Sequence, residues 1–264
     1  MRRQASESRL DTVYGINAVR EAVVSRPVDY VLVAEGHHAP RVQEIIELAR
    51  GRGIAVRFAP AIALDRAAGG AQHQNVLAFC AAKAYDDLET LVAASPQPLI
   101  VVLDGVEDPA NLGAVARTAV AAGAAGIVVP ERRAARLTPA VARSAAGALE
   151  HLKVARVTNL TRALNELKEH SLWVYGFEAA ASKSYLELDY STPCALVLGG
   201  EGQGLHRLVR ETCDALACIP LHGPVQSLNV SVAAAIILYE AVRQRHPAGQ
   251  AALKSTNPRL REQG

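Results

Sequence analysis

Apolar residues follow two different spacings in the first third of the chain. Where they return every three or four positions, the pattern predicts a helix with one buried face. Where they form short runs rich in β-branched residues, it predicts a strand. The predicted elements are helices at 16–24 and 42–50 and strands at 30–34, 54–58 and 76–80. Their alternation predicts a compact α/β unit.

From residue 99 the strand signals become stronger, because the apolar runs are unbroken. Such runs are typical of parallel strands that are covered on both faces. The predicted strands lie at 99–103, 126–129, 172–176, 195–198 and 215–219, with helices at 110–122, 138–148, 160–169 and 205–212 and from about 227 to 243. This part of the chain is therefore expected to be an α/β domain with a mainly parallel sheet.

The stretch between these two parts is acidic and then reads Ser-Pro-Gln-Pro, which favours neither a helix nor a strand. With 264 residues, the chain also exceeds the roughly 100–200 residues of a typical domain. The predicted division is a tail at 1–10, a small domain at 11–83, a linker at 84–98, a larger domain at 99–243 and a tail at 244–264.

Composition excludes several classes of protein. No apolar run approaches the roughly 20 residues that span a bilayer. Residues 4–11 are polar and offer no apolar core for a signal peptide, so we expect a cytoplasmic protein. The four cysteines form no Cys-x-x-Cys pair, which indicates reduced thiols rather than a disulfide framework or a metal site.

Net charge is only +2, which does not by itself indicate a nucleic-acid partner. Its distribution is more informative. Residues 131–156 contain six basic and two acidic side chains. The chain from residue 243 onward contains five basic side chains and one acidic side chain. Such local excesses suit contacts to phosphate, although a solvated face is the commoner explanation.

Three loops at the carboxyl ends of predicted strands carry the candidate chemistry, because ligands of open α/β sheets bind there. The first contains Asn111-x-Gly-x-x-x-Arg117 after Pro109, a residue that suits the first turn of a helix. Asn111 and Arg117 then lie on the first two turns. Their spacing suits a ribose or phosphate contact, and a helix cap with a surface arginine explains it equally well.

The second loop, from Leu198 to Leu205, places four glycines around Glu201. Glycine lets the backbone face a ligand directly. A P-loop requires Lys-Ser/Thr where this chain has Leu205-His206, and a dinucleotide fingerprint requires a glycine at 205 and a place after the first strand. Both rival nucleotide sites therefore fail on specific residues.

The third loop runs from Ile219-Pro to Ser227-Leu-Asn-Val-Ser-Val-Ala and enters an alanine-rich helix. Ser227 and Asn229 are small polar residues at the mouth of this helix. They are suited to cap it, or to orient a hydroxyl and a cofactor edge. The loop taken alone leaves both interpretations open.

Together, the three loops resemble the three motifs of the SpoU (TrmH-like) family of RNA 2'-O-methyltransferases. The start, Val13-Tyr-Gly-Ile-Asn-Ala-Val19, resembles the small substrate-binding domain of the branch that methylates a large-subunit ribosomal RNA guanosine. The likeness covers most of residues 11–243. It implies a small ribosomal-protein-like α/β domain, followed by a trefoil-knotted α/β methyltransferase domain that forms a homodimer.

The resemblance also implies a cofactor, a substrate and a set of site residues. The cofactor is S-adenosylmethionine, the substrate is 23S ribosomal RNA, and methyl transfer needs no metal. By position, Gly199, Ile219 and Leu228 would line the cofactor pocket. The matching active-site residues are Asn111, Arg117, Glu201, Ser227 and Asn229. Gly200 stands where relatives commonly have alanine, a change expected to matter little.

Arg117 matches the family's candidate base. Because a guanidinium stays protonated in proteins, we instead expect charged Arg117 to bind phosphate and stabilise a developing alkoxide. His73, His206 and His222 are expected to be ordinary polar loop residues. Three alternatives stay open at this stage: methylation of transfer RNA or another ribosomal site, a non-catalytic RNA-binding module, and a phosphate-transferring enzyme.

Overall fold

The structure is a computed structural model that describes residues 10–36 and 39–246. Its first part is a four-stranded sheet in the order β1-β4-β2-β3. The strands are β1 (Leu10–Tyr14), β2 (Val28–Ala34), β3 (Ala55–Ala59) and β4 (Val76–Ala81), and the helices are α1 (Ile16–Ser25), α2 (Pro40–Gly51) and α3 (Ala61–Ala67). β1 and β2 pair antiparallel with β4, whereas β2 and β3 are parallel.

The second part is a seven-stranded sheet in the order β7-β6-β5-β10-β8-β11-β9, in which all pairs are parallel. Its strands are β5 (Leu99–Asp104), β6 (Gly126–Pro130), β7 (Val154–Val157), β8 (Trp173–Phe177), β9 (Lys183–Ser184), β10 (Cys194–Gly199) and β11 (Ala215–Cys218). Every residue of β5 is buried, as expected for a strand covered on both faces. The predicted α/β fold with a mainly parallel sheet is confirmed.

Six helices accompany this sheet in the described part of the chain. They are α4 (Leu88–Val92), α5 (Pro109–Ala121), α6 (Pro139–Ser144), α7 (Leu160–Glu169), α8 (Arg207–Thr212) and α9 (Val230–Arg245). α5 and α9 contribute Val115, Ala119, Ala234 and Ile237 to one core layer, together with inward-facing residues of the strands. α7 and α8 cover the other face of the sheet.

Several element predictions need correction. Residues 84–98, which were expected to favour neither a helix nor a strand, contain α4, whose Leu88 and Leu91 are buried against the sheet. The helix predicted at 138–148 ends at Ser144, since Ala146 and Gly147 have positive φ angles. β1, α3, β7 and β9 were not predicted. Their short or mixed polar sequences give weak periodic signals.

The last helix begins later and ends later than predicted. It starts at Val230, because the Asn229 side chain accepts a hydrogen bond from the backbone N–H of Ser231. It continues to Arg245, a residue that was predicted to lie in the basic tail. The Arg245 guanidinium donates to the carbonyls of Gln97, Tyr190 and Thr192. Arg245 therefore ties the helix to the segments that precede β5 and β10. The tails at 1–9 and 247–264 lie outside the described residues.

The two parts of the molecule contact each other through a partly buried ion pair. Nε of Arg26, just after α1, lies 3.3 Å from a carboxylate oxygen of Glu150, and both side chains are largely shielded from solvent. Gly147 packs against Glu21 of α1, where a Cβ on the glycine would lie 2.5 Å from the glutamate side chain. This contact fixes the first sheet beside the second.

The cysteines are free thiols, as expected. Burial raises the pKa of Cys194 to about 11 and that of Cys213 to about 12, so both thiols are neutral near pH 7. Among the described helices, none has the length and apolar character needed to cross a membrane.

The sheet order brings the motif-bearing loops to one edge. β10 pairs with β5 as far as Gly199↔Asp104 and with β8 as far as Leu198↔Phe177. β11 in turn pairs with β8. Because parallel strands end at the same edge, the loops after β5, β10 and β11 emerge side by side.

Candidate active site

Three polar side chains from three different loops form one hydrogen-bonded cluster. The amide nitrogen of Asn111 donates to Oε1 of Glu201 at 2.6 Å, and that of Asn229 donates to the same oxygen at 3.0 Å. Asn229 also donates to Oδ1 of Asn111 at 3.0 Å. The cluster joins residues that are 90 and 118 positions apart in the chain.

Local structure positions both asparagines. Oδ1 of Asn229 accepts from the backbone N–H and the hydroxyl of Ser231, so its nitrogen must face Glu201. Asn111 lies on the first turn of α5 and is 7% exposed. Asp108 caps this helix by accepting from the N–H of Ala110 at 2.9 Å. Both asparagines are therefore held at helix starts.

The glycines of the second loop are required by close backbone contacts. A Cβ on Gly199 would lie 2.1 Å from the carbonyl carbon of Gly204. A Cβ on Gly200 would lie 2.0 Å from the carbonyl oxygen of Gly105, and the Gly200 N–H donates to the Asp104 carbonyl at 2.7 Å. An alanine at 200 would therefore require this loop to shift.

A groove of about 760 Å³ opens beside this loop. We call it the groove. Gly199, Ile219 and Leu228, the three residues predicted to bind the cofactor, all line it, together with Leu198 and Ile237. Glycine backbone and aliphatic side chains suit a flat, partly apolar ligand. The lining therefore fits the adenosine of S-adenosylmethionine.

Polar residues of the predicted active site lie along the same groove. Glu201, Ser227 and Asn229 line it. Ser227 is exposed and makes no hydrogen bond within the described residues, so its hydroxyl is available to a ligand. Asn229, rather than Ser227, caps the helix.

A second cavity of about 550 Å³ lies on the other side of the loop. We call it the side pocket. It shares Gly200, Glu201, Gln203 and Gly204 with the groove, and Asn111 lines it as well. The hydrogen-bonded cluster therefore lies at the border between the two cavities.

Arg117, unlike Asn111, Glu201 and Asn229, is not brought to the cluster. Six residues along α5 separate it from Asn111, which is about 9 Å along the helix axis at 1.5 Å per residue. Its side chain is exposed and lines neither cavity. Within the described residues it forms no hydrogen bond or ion pair.

Several polar residues of the site were not predicted. Glu178 follows β8 directly, lines the groove and pairs with Arg210 at 3.1 Å. The rule that ligands bind at the carboxyl ends of strands would have found Glu178, since it follows a predicted strand. Asp104, Arg133 and His206 line the side pocket. His206 lies in the loop before α8, as expected, and bonds to Asp104 through its backbone N–H and its ring. In the described ranges no cluster of side chains has the composition of a metal site.

Comparison with known proteins gives two family matches. The SpoU rRNA Methylase family matches residues 98–239, and the RNA 2'-O ribose methyltransferase substrate binding family matches residues 12–86. The first match covers more than half of the chain and contains all the predicted site residues. The trefoil knot implied by the resemblance is a general property of this fold.

Relatives match over nearly their full length. The TrmH family protein YacO of Bacillus subtilis is 46% identical over 245 residues, covering 91% of this chain and 98% of the relative. The 23S rRNA (guanosine-2'-O-)-methyltransferase RlmB of Xylella fastidiosa is 46% identical over 239 residues, covering 88% and 96%.

Solved structures agree with these matches. The SpoU methyltransferase AviRb of Streptomyces viridochromogenes, in complex with AdoMet, superimposes with a TM-score of 0.75 at 26% identity, covering 89% of this chain and 90% of that one. The chain belongs to the SpoU (TrmH-like) family and is an S-adenosylmethionine-dependent RNA ribose 2'-O-methyltransferase.

Proposed function

We propose that the enzyme methylates the ribose 2'-hydroxyl of a guanosine in 23S ribosomal RNA, in the cytoplasm, during ribosome maturation. The observation that carries the proposal is the Asn111–Glu201–Asn229 cluster at the border of two cavities. One cavity suits the cofactor, which leaves the other for the nucleotide. The guanosine and the RNA are supported by the 46% identity to the RlmB of Xylella fastidiosa.

Bound S-adenosylmethionine supplies a methyl group on a positively charged sulfur, which the ribose oxygen attacks while the bond to sulfur breaks. The groove positions this methyl group through Gly199, Ile219 and Leu228. Alignment of two reactants lowers the barrier because their relative freedom has already been removed. These three residues therefore bind and orient, and they take no part in proton transfer.

The polar cluster orients the nucleotide. Oε1 of Glu201 is occupied by both asparagines, which fixes the carboxylate while leaving Oε2 to accept from a ligand hydroxyl. Ser227 offers a free hydroxyl on the groove side. In this proposal, Glu201 and Ser227 hold the ribose so that its 2'-hydroxyl faces the groove.

Arg117 acts, in this proposal, as a cation. Its guanidinium binds an RNA phosphate and stabilises negative charge that develops on the ribose oxygen, and the proton leaves to phosphate or water. Because Arg117 lies outside both cavities of a single chain, it reaches the reacting nucleotide through the bound RNA or a second protomer.

A homodimer is the second part of the proposal. Val232 and Tyr239 are exposed, lie seven positions apart and so share a face of α9. This helix packs against α5, which carries Arg117. Contact between two copies along this face would bury both apolar side chains and bring the arginine near the partner. Coexpressed Arg117→Ala and Asn229→Ala subunits test this arrangement, since mixed dimers would recover part of the activity.

The small N-terminal domain contributes to RNA affinity. In the larger domain, the exposed residues Arg132 and Arg136 contact the sugar-phosphate backbone of the RNA. Charge-neutral variants of these arginines should weaken RNA binding and reduce its salt dependence, because each phosphate contact releases counterions. An unchanged salt dependence would contradict their role. The proposed RNA contacts of the C-terminal tail concern residues outside the described part.

The test is transfer of a tritiated methyl group from S-adenosylmethionine to undermethylated ribosomal RNA, followed by mapping of the modified nucleotide. The wild type should label a single 2'-O-methylguanosine in 23S RNA, and Arg117→Ala should label none. If only transfer RNA is labelled, the substrate is transfer RNA rather than 23S RNA. Retention of nearly full activity by Arg117→Lys would contradict a role that depends on the planar fork of the guanidinium.

A further inference from the structure

The side pocket contains a chain of hydrogen bonds that methyl transfer does not use. Asp104 ends β5 and is 4% exposed. Both of its carboxylate oxygens are occupied by one residue: Oδ2 accepts from the backbone N–H of His206 at 2.7 Å and Oδ1 pairs with the Nδ1 of its ring at 2.9 Å. A buried carboxylate is costly unless it is paired in this way. The pair therefore locks the His206 ring in one orientation.

The ring in turn holds an arginine. Nη1 of Arg133 lies 3.1 Å from Nε2 of His206. A guanidinium only donates, so Nε2 must accept and Nδ1 must carry the hydrogen that Asp104 receives. The order of donation is thus Arg133 to His206 to Asp104.

The backbone around Arg133 is also fixed in position. Its φ angle is 55°, in the left-handed region that non-glycine residues rarely adopt. Two residues later, the N–H of Ala135 donates to the carbonyl of Val106 and ties this turn to the loop after β5. Within residues 10–36 and 39–246, Arg133 forms no ion pair. The remaining donors of its fork are available at the side pocket, which it lines.

The other charges of the side pocket are acidic. Glu107 and Asp108 line it next to Glu201. Asp108 already caps α5, and Glu201 belongs to the polar cluster. Glu107 is exposed and accepts no hydrogen bond in the described part of the chain. The lining therefore offers the remaining donors of the Arg133 guanidinium and, at Glu107, a carboxylate with both oxygens unoccupied.

This combination disfavours a phosphate, because three or more carboxylates would repel it. It matches guanine, which is neutral and carries both kinds of partner. Its O6 and N7 accept bidentately from an arginine, and its N1–H and N2 amino group are adjacent donors that suit a carboxylate. Adenine presents an acceptor at N1, which would face the carboxylate unfavourably.

We propose that the side pocket receives the guanine base of the nucleotide to be methylated, and that Arg133 and Glu107 determine its specificity. Asp104 and His206 are positioning residues that aim the guanidinium. The inference rests on the proposed guanosine substrate and deepens it. A base in this pocket places its ribose beside Asn111 and Glu201, at the border with the groove.

The experiment uses the full-length enzyme and an RNA that carries the mapped target nucleotide as guanosine, inosine or 7-deazaguanosine. Inosine lacks the N2 amino group, and 7-deazaguanosine lacks N7. In the wild type, each replacement removes one hydrogen bond of a bidentate pair and should lower kcat/KM by at most about 5–150-fold, the range for loss of the whole pair. Affinity for S-adenosylhomocysteine serves as a check that the groove is intact.

Each variant should lose the ability to distinguish guanosine from one of the two analogues. Arg133→Met should methylate guanosine and 7-deazaguanosine equally slowly while still discriminating against inosine. Glu107→Gln should discriminate less against inosine and retain the 7-deazaguanosine effect. Matched controls are Arg132→Met, which should affect all three RNAs equally, and Glu131→Gln, which changes an exposed carboxylate outside the pocket.

His206→Asn separates positioning from structural support. The asparagine amide nitrogen can still donate to Asp104, but the shorter side chain has no acceptor at the position of Nε2, to which Arg133 donates. The variant should fold and bind S-adenosylhomocysteine normally, and its discrimination against 7-deazaguanosine should fall.

Three outcomes overturn the assignment. If the variants discriminate between the three RNAs as strongly as the wild type does, the proposed contacts of Arg133 and Glu107 with the base are contradicted. If Arg133→Met lowers kcat/KM for all three RNAs by the same factor, Arg133 contacts a phosphate rather than the base. Mapping of the wild-type product to a base other than guanine would contradict the pocket while leaving the enzyme class intact. Absence of 2'-O-methylguanosine from 23S RNA in the tritium-labelling test would mark failure of the proposed function itself.

Discussion

The groove and the side pocket share one loop, yet their walls differ in chemistry. The groove combines glycine backbone and aliphatic residues such as Ile219 and Leu228 with polar residues such as Ser227. The side pocket is formed by charged side chains that are fixed by one another, as Arg133 and His206 are. The aliphatic part of the groove selects a ligand by shape, whereas the side pocket selects it by hydrogen bonds. Substitutions should therefore separate cofactor affinity from RNA specificity.

The largest expected effect falls on the border between the two cavities. Glu201→Ala removes the acceptor that both Asn111 and Asn229 use. We expect kcat to fall by about 10²–10³-fold, comparable with the loss of one positioned polar group in other active sites. Cofactor affinity should change little, because the lining by Ile219 and Leu228 remains. Single-turnover methylation and calorimetric titration with S-adenosylhomocysteine measure the two quantities.

The control for Glu201→Ala is Glu211→Ala, which removes an exposed carboxylate on α8 that pairs with Arg207. It should leave kcat within about twofold, as expected for a surface ion pair. Equal losses in both variants would contradict the assignment of the polar cluster.

The next effect should appear in the groove alone. Gly199→Ala places a Cβ 2.1 Å from backbone atoms of Gly204, so the loop must shift. We expect the free energy of unfolding to fall by about 1–3 kcal/mol and cofactor affinity to fall by about 10-fold or more, since roughly 1.4 kcal/mol is tenfold. Thermal unfolding and titration with S-adenosylhomocysteine measure these changes.

Gly223→Ala is the matched control for this variant. Gly223 lies in the third loop, where an added Cβ would meet no atom within 4 Å, and its φ angle is not positive. Cofactor affinity that falls equally in both glycine variants would indicate that the close contact at 199 is unimportant.

The smallest effect should come from Ser227→Ala. The serine is exposed, makes no hydrogen bond within the described residues and does not cap α9. Stability should change by less than about 0.5 kcal/mol. Loss of one ligand hydrogen bond, about 0.5–1.5 kcal/mol, should lower kcat/KM by about 2–10-fold. A loss as large as that of Glu201→Ala would assign the hydroxyl a direct part in the reaction.

The elements that the sequence predicts well have strong local signals. α7 spans Leu160–Glu169, as predicted, because its apolar spacing is regular and Asn159 caps it. The buried parallel strands were also predicted, although with ends that differ by a residue or two. β1 and α3 were missed, since an edge strand and a seven-residue helix carry little periodic information.

The site is predicted from sequence only in part, because its geometry depends on the strand order. The motifs indicate which loops matter, and local spacing indicates that Asn111 begins a helix. Neither shows that Asn111 and Asn229, 118 residues apart, donate to one carboxylate. The contact between Gly200 and Gly105 likewise depends on the pairing of β10 with β5. Arg117 was assigned by resemblance, and a single chain does not explain its position.

Parallel measurement of cofactor affinity and methylation rate in Gly199→Ala, Glu201→Ala and Arg133→Met tests the central claim most directly. The account predicts that only Gly199→Ala loses affinity for S-adenosylhomocysteine, whereas Glu201→Ala and Arg133→Met bind it as the wild type does and methylate RNA slowly. Equal loss of cofactor affinity in all three variants would contradict the division of the site into a cofactor groove and a nucleotide pocket.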